Sequence, residues 1–265
     1  MNDGGTPGSA TSERLQRVAA QLQQPEVTRL LFITGAGLSA DSGLPTYRGV
    51  SGLYEQSDTD EGYAIEEALS GRMLQLRPEL CWKYIAQIEA GCRGAKPNRG
   101  HEVIAALQNH FDVWVLTQNV DGLHRQAGSK QLIEIHGNVH ALSCTACDYG
   151  HQVTDYSALS VPPACPTCGA LVRPDVVLFG EMLPTKPLAT YQQQLGQGFD
   201  MIFSVGTTSV FPYIAEPIWN AHLRGIPTIE INPGESEVSH LVSERIKGGA
   251  AATLDALAEA LGMSA

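Results

Sequence analysis

Arg29-Leu-Leu-Phe-Ile-Thr-Gly-Ala-Gly-Leu-Ser-Ala40 carries the first decision about the fold. Five apolar or stem-rich residues run straight into a Gly-x-Gly turn, which reads as a buried strand feeding a tight turn and a helix. Four further runs have the same character: Asp112–Thr117, Leu132–Ile135, Met201–Val205 and Pro227–Ile231. Between and around them lie helical stretches. Residues 13–24 place Leu15, Val18, Ala19 and Leu22 on one face, and 101–110, 187–197, 212–223 and 252–262 are further candidates. Strands alternating with helices predict an α/β fold, a mostly parallel sheet covered on both faces.

Two stretches break the alternation. Residues 47–97 are polar, mixed and helix-leaning, and 141–171 hold paired cysteines among Pro, Ser, Thr and Gly with little apolar mass. The expected organisation is therefore a leader at 1–12 and a parallel-sheet domain from 13–46, 98–140 and 172–265. A helical insertion with a flexible loop occupies 47–97, and a metal module 141–171. The chain has 265 residues, enough for a substantial core. With 43% hydrophobic and 17% charged residues, its composition is that of a folded globular protein. Seventeen Lys and Arg against 28 Asp and Glu give a net charge of −11, which disfavours nucleic acid as a partner because phosphate needs a basic face. No run of apolar residues is long enough for a membrane span. The N-terminal stretch lacks the charged and apolar regions of an export signal, so a disordered leader and a cytoplasmic location are expected.

Cys144-x-x-Cys147 and Cys165-x-x-Cys168, separated by 17 residues, have the spacing of two knuckles presenting four thiolates to one Zn²⁺. Four cysteine ligands close the coordination sphere, so the ion is expected to be structural. Metal binding supplies the stability that so little apolar mass withholds. A zinc deaminase needs His-x-Glu, and none of the eight histidines has Glu two residues later.

Gly35-Ala-Gly37-Leu-Ser-Ala40 fits G-x-G-x-x-[GA], which suits a dinucleotide pyrophosphate at a helix N-terminus, although a packing turn reads the same. No strand precedes Glu55 or Asp58, the acidic residues at the distance a dehydrogenase uses, so hydride transfer loses support. The absence of any Gly-Lys dipeptide removes a P-loop. Thr117-Gln-Asn-Val-Asp-Gly-Leu-His124 follows a strand, and Glu134-Ile-His-Gly-Asn138 puts His136 at the end of another. Such strand ends form the ligand-binding edge of open α/β sheets, and imidazole suits proton transfer near neutral pH. His124, His140 and His151 are expected to be surface or structural. Ser204–Ser209 and Glu230–Gly234 end later strands with small residues that permit close backbone approach.

Taken together, Gly35–Pro45, Arg48-Gly49, Thr117–His124, Ile135–Asn138, the two cysteine pairs, Arg173–Glu181, Val205–Ser209 and Ile231-Asn232 resemble the sirtuin family, in order from about residue 28 to 250. The resemblance implies a Rossmann-like domain, a smaller domain of zinc module and helical insertion, and NAD-dependent deacylation of protein lysines to nicotinamide and an O-acyl-ADP-ribose. It makes His136 the catalytic base, with Asn119 beside it. Gly35, Ala36, Ser39, Tyr47 and Arg48 would line the phosphate and nicotinamide-ribose side; Gln118, Asn119 and Asp121 the ribose and nicotinamide; Gly206, Thr207, Ser209, Asn232 and Ala250 the adenosine half. Phe179, Gly180 and Glu181 would pair with the backbone of an acylated-lysine peptide or protein as an added strand. Cys144, Cys147, Cys165 and Cys168 match the zinc ligands.

Two departures from the family pattern stand out. Thr46 and Tyr47 stand where many members have aspartate and phenylalanine. Ile85 and Ile88 stand where members that prefer acidic acyl groups carry Tyr-x-x-Arg, so acetyl and longer neutral acyl groups are expected over succinyl. ADP-ribosyl transfer to protein, and NAD or ADP-ribose binding without turnover, are the alternative functions. The oligomeric state is not legible.

Overall fold

The computed structural model describes residues 9–45 and 59–263. The calls on Thr46, Tyr47 and Arg48 fall outside these residues. β1 (Arg29–Thr34), β2 (Asp112–Thr117), β3 (Gln131–Glu134), β7 (Met201–Val205), β8 (Thr228–Ile231) and β9 (Glu244–Ile246) form one sheet in the order β3-β2-β1-β7-β8-β9, every pair parallel. Counted along this sheet alone, the order is 3-2-1-4-5-6, the doubly wound arrangement, and its switch point lies between β1 and β7.

The strands are apolar on both faces because both faces are covered. Leu30 and Phe32 of β1 enter one core with α1 (Ser9–Leu22), α6 (Arg99–Leu107) and α10 (Ala250–Ala260), where Phe32 stacks on Phe203 at 4.5 Å. Leu31 and Ile33 enter the opposite core with α8 (Thr185–Gln197) and α9 (Pro212–Arg224). Single-residue alternation thus feeds two layers. Two elements differ from expectation at their ends. α1 begins at Ser9, so residues 9–12 are helical where a leader was expected. β9 is a three-residue edge strand with too short an apolar signature to read in sequence.

The second body joins the two irregular stretches. α3 (Ile65–Ala68), α4 (Gly71–Leu76) and α5 (Pro78–Cys92) make the helical part; Pro78 starts α5, where its missing N–H costs nothing. β4 (Gly137–Cys144), β5 (Gly150–Gln152) and β6 (Val172–Val176) form an antiparallel sheet in the order β5-β4-β6. This sheet overruns the expected 141–171 module on both sides. Its apolar residues also correct the expectation of little apolar mass: Val139, Leu142, Tyr156, Cys165 and Val172 are buried in one core with Trp82, Ile85 and Leu80 of α5. Trp82 is fully buried, donates from Nε1 to Val172 O at 3.1 Å, and packs on the Tyr156 ring. Among the described residues no helix is long and apolar enough to cross a membrane.

Candidate active site

Three strand ends meet at the switch point. Register aligns Thr34 of β1 with Thr117 of β2 on one side and Val205 of β7 on the other, so the turns after them emerge side by side. The turns lock together. Gly35 N donates to Val205 O at 3.1 Å and Gly37 N to Gly206 O at 2.8 Å. A Cβ on Gly37 would lie 2.7 Å from Gly206 Cα, and one on Gly206, whose φ is +60°, would lie 2.4 Å from Leu38 N. The glycine turn is therefore required first by turn-to-turn packing, which the pattern alone could not separate from ligand approach.

A chain of hydrogen bonds crosses from β2 to this turn. Asn119 Nδ2 donates to Gly35 O and to Ser39 Oγ, both at 3.0 Å, and Ser39 Oγ donates to Asp121 Oδ2 at 2.7 Å. Asp121 Oδ1 accepts from Leu123 N at 2.9 Å, while burial pushes its carboxyl above the ordinary range. Gln118 Nε2 donates to Thr207 Oγ1 at 2.8 Å, tying β2 to the β7 turn. Both amide protons of Asn119 are thereby spent, which leaves Oδ1 as its free acceptor.

His136 follows β3 and immediately precedes β4. Gly137, with φ +83°, lets β6 come so close that a Cβ there would sit 1.7 Å from Asp175 O. Val177 N donates to His136 O at 2.9 Å. On the ring, Nδ1 lies 3.1 Å from Gln118 O and Nε2 lies 2.6 Å from Tyr213 Oη. Burial lowers the basicity of the imidazole and the Gln118 carbonyl opposes that shift. Ala36, Ser39, Gln118, Asn119, Asp121, His136 and Phe179 all line one cleft of about 220 Å³. Its far wall is apolar, with Ile85 and Ile88 of α5 and Leu44.

Other expected residues stand near this cleft or elsewhere. Asn232 Nδ2 donates to Thr207 O at 2.9 Å, and Ser209 N to Thr207 Oγ1 at 3.1 Å. Ser209 has φ +54°, and its buried Oγ has no partner among the described residues. A strained serine with an orphaned hydroxyl beside Thr207 and Asn232 is what a polar ligand such as a dinucleotide would satisfy, so these residues fit NAD. Ala250 opens α10, and its side chain lies in the hydrophobic core. The main chain of Phe179 is engaged with the insertion, its N–H on Leu69 O and its C=O accepting from Gly71 N. Gly180 has φ +79°. Glu181 grips Arg173 through both carboxylate oxygens, at 2.5 and 2.9 Å, and caps Leu178 N. His124 is structural and buried, bonded to Thr34 Oγ1 at 2.9 Å, with His101 edge-on at 4.8 Å.

The four Sγ atoms of Cys144, Cys147, Cys165 and Cys168 lie within 4.8 Å of one another. Cys144 to Cys168 is 3.5 Å and Cys147 to Cys165 is 3.7 Å, near the roughly 3.8 Å edge of a tetrahedron with 2.3 Å Zn–S bonds. Ala146 N reaches Cys144 Sγ at 3.3 Å and Thr167 N reaches Cys165 Sγ at 3.4 Å, donors that suit thiolates. The donor set fits one structural Zn²⁺ held clear of the cleft.

Sequence reasoning missed Tyr213. The signal was its place just after a strand-end loop, in Phe211-Pro-Tyr213, but its partner His136 lies 77 residues away.

Comparison with known proteins agrees with this geometry. The model of the Sir2 family matches residues 35–212. NAD-dependent protein deacylase 2 of Pseudomonas aeruginosa is 50% identical over 237 residues, 88% of this chain and 91% of that protein. A Sir2 homologue solved in complex with NAD superposes with a TM-score of 0.82 at 33% identity, covering 98% of each chain. A Sir2 structure with deacetylated p53 peptide and 3'-O-acetyl ADP ribose gives 0.82 at 26% identity, over 94% of this chain and 99% of that one. From the locked glycine turn to the first residue of α9 the family model matches, and half of 237 aligned residues are identical in a relative: the chain belongs to the Sir2 family.

Proposed function

We propose that this chain is an NAD-dependent protein-lysine deacylase that removes acetyl and longer neutral acyl groups, giving nicotinamide and an O-acyl-ADP-ribose. The observation that carries the reading is one cleft in which the His136 imidazole, the Asn119–Ser39–Asp121 network and an apolar wall converge at the switch point of the sheet. Bound NAD supplies the anomeric carbon whose bond to nicotinamide breaks and the sugar that accepts the acyl group. Gly35, Ala36, Ser39, Gln118, Asn119 and Asp121 hold and orient its nicotinamide-ribose half, with Tyr47 and Arg48 belonging to the same proposal. Gly206, Thr207, Ser209, Asn232 and the start of α10 at Ala250 hold the adenosine half. His136 takes a proton from a ribose hydroxyl. Phe179, Gly180 and Glu181 border the substrate peptide, with the Phe179 main chain, already bonded to Leu69 and Gly71, not pairing with it as expected; the peptide's class is that of the one bound by the Sir2 structure described above. A cytoplasmic setting suits a site of four reduced thiolates.

The wall supports the choice of acyl group. Ile85 is buried and Ile88 partly so, no Arg or Lys is among the described lining residues, and the carboxylate present is Asp121. A succinyl carboxylate there would be desolvated without a partner. Incubation with NAD and an acetylated peptide should release nicotinamide and deacetylated peptide one for one. In His136→Ala the rate should fall by about 10²–10⁴ with the fold intact. Label transferred to protein would favour ADP-ribosyl transfer instead, and NAD binding without turnover would leave a binding module. Equal kcat/KM on acetylated and succinylated versions of one peptide would overturn the specificity.

A further inference from the structure

The His136 ring is held at both nitrogens, and the two bonds differ in kind. A carbonyl oxygen only accepts, so the 3.1 Å contact with Gln118 O places a proton on Nδ1. The neutral ring then has a single lone pair, at Nε2, and Tyr213 Oη stands 2.6 Å from it. The phenol is the donor in that bond. Burial keeps it protonated at neutral pH by pushing its ionisation up to about 12.

Since the lone pair of the base is already taken, a substrate hydroxyl meets the phenolic oxygen first. That oxygen, while donating to Nε2, still has acceptor capacity of its own. The tyrosine is also anchored against swinging aside. Its C=O accepts from Tyr191 Oη at 2.5 Å, and Pro212 fixes the chain at the start of α9. Its ring stacks on Phe211 at 5.6 Å and 16°. The imidazole stands edge-on to both rings, at 5.7 and 6.0 Å.

We propose that Tyr213 is a further catalytic residue, the relay through which a substrate hydroxyl delivers its proton to Nε2 of His136. The O–H bond of the hydroxyl breaks, and its electron pair stays on the oxygen that becomes the nucleophile. That proton bonds to Oη as the phenolic proton passes to Nε2. Tyr213 ends neutral, as it began. His136 becomes an imidazolium with Nδ1–H on Gln118 O and Nε2–H on Oη, and it discharges its proton to bulk water before the next turnover. The relay rests on the deacylase reading for its hydroxyl; the bond between Tyr213 and His136 does not. Charged groups on the surrounding elements are Asp121 after β2, Glu134 on β3 paired with Arg125, and Asp175 on β6 bonded to Ser143. The causes that set the basicity of the ring are burial and the Gln118 carbonyl.

The test combines the free protein with turnover, using Tyr213→Phe, which keeps the ring and its stacking. Nitrogen-15 NMR of the ligand-free wild type should show His136 as the neutral Nδ1–H tautomer. In Y213F its titration midpoint should rise by about one pH unit, because a donor to the neutral form has been removed. In turnover, Y213F should lose roughly 10- to 100-fold in kcat, a loss within reach of a disabled proton transfer. Its KM for NAD and peptide should stay within about twofold, and its acid limb should move to higher pH. An unchanged melting temperature certifies the fold. The relay is overturned by an active wild type whose Y213F variant keeps its kcat, or by an Nε2–H tautomer in the free protein. A wild type with no deacylation at all would instead fail the functional reading, and the relay with it.

Discussion

The six-stranded sheet and the small antiparallel sheet solve the same stability problem by opposite means. In the first, single strands such as Leu30–Ile33 feed two cores at once, every neighbouring pair in the sheet is parallel, and the central strands are buried. In the second, β5 is exposed along its whole length, and the buried residues of β4 and β6 complete their core only with α5. The large body is held by layers of apolar side chains repeated along the chain. The small one adds to its single buried core two ties that meet at one place, since Val172, which accepts from Trp82, stands opposite Cys144 of the thiol cluster. Two cores repeated along the chain tolerate local loss better than one small core with its ties gathered on one side.

The widest separation between the two bodies should come from removing metal. Chelation, or Cys165→Ser, withdraws a contribution on the order of 10 kcal/mol in small zinc modules. The small body should unfold and deacylation fall more than about 100-fold, while the large body keeps a cooperative thermal transition. Calorimetry separates the outcomes: one merged transition lost at once would erase the distinction drawn above. Trp82→Ala attacks the second tie and should cost about 3–5 kcal/mol, the range for a buried Trp truncation. Urea unfolding followed by tyrosine and zinc-site probes should show that loss in the small body alone.

Acid should act the other way, on the large body. His101 of α6 and His124, in contact with each other, are buried as neutral rings, their basicity lowered by desolvation to about 4 and about 3. Unfolded imidazoles take protons near pH 6.5. Stability is therefore full above that value and declines as pH falls toward the folded values, by about 1 kcal/mol for each ring at pH 5.5. A melting temperature of the large body that is flat between pH 7.5 and 5.5 would contradict this smallest of the three effects.

How much of this was legible follows the same division. β1, β2, β3 and β7 are short apolar runs bounded by turn residues, so local pattern was enough to put Asn119, Asp121 and His136 at strand ends. The strands of the small sheet mix Ser, His, Cys and Arg with apolar residues, because one face is solvated and the other is covered only by a distant helix. No window of sequence contains both halves of that core. The glycines of the turn were visible, but their reason was not, since Gly206 presses on Gly37 from more than 160 residues away. Residues 9–12 looked like leader because small residues, of which Ala10 and Ser12 are exposed, leave little periodic signal at the start of a helix. Tyr213 escaped for want of any local mark of its contact with His136.

The bond from Trp82 to Val172 spans 90 residues, and that span has a consequence during synthesis. Chain growth proceeds N-terminus first at about 5–20 residues per second, so α5 leaves the ribosome roughly 5–20 s before the strand that covers its indole. Throughout that interval the nascent polypeptide has α3 and α4 to pack on α5, while the face that Val172 covers stays open. The last part of that core therefore closes only once residue 172 has emerged.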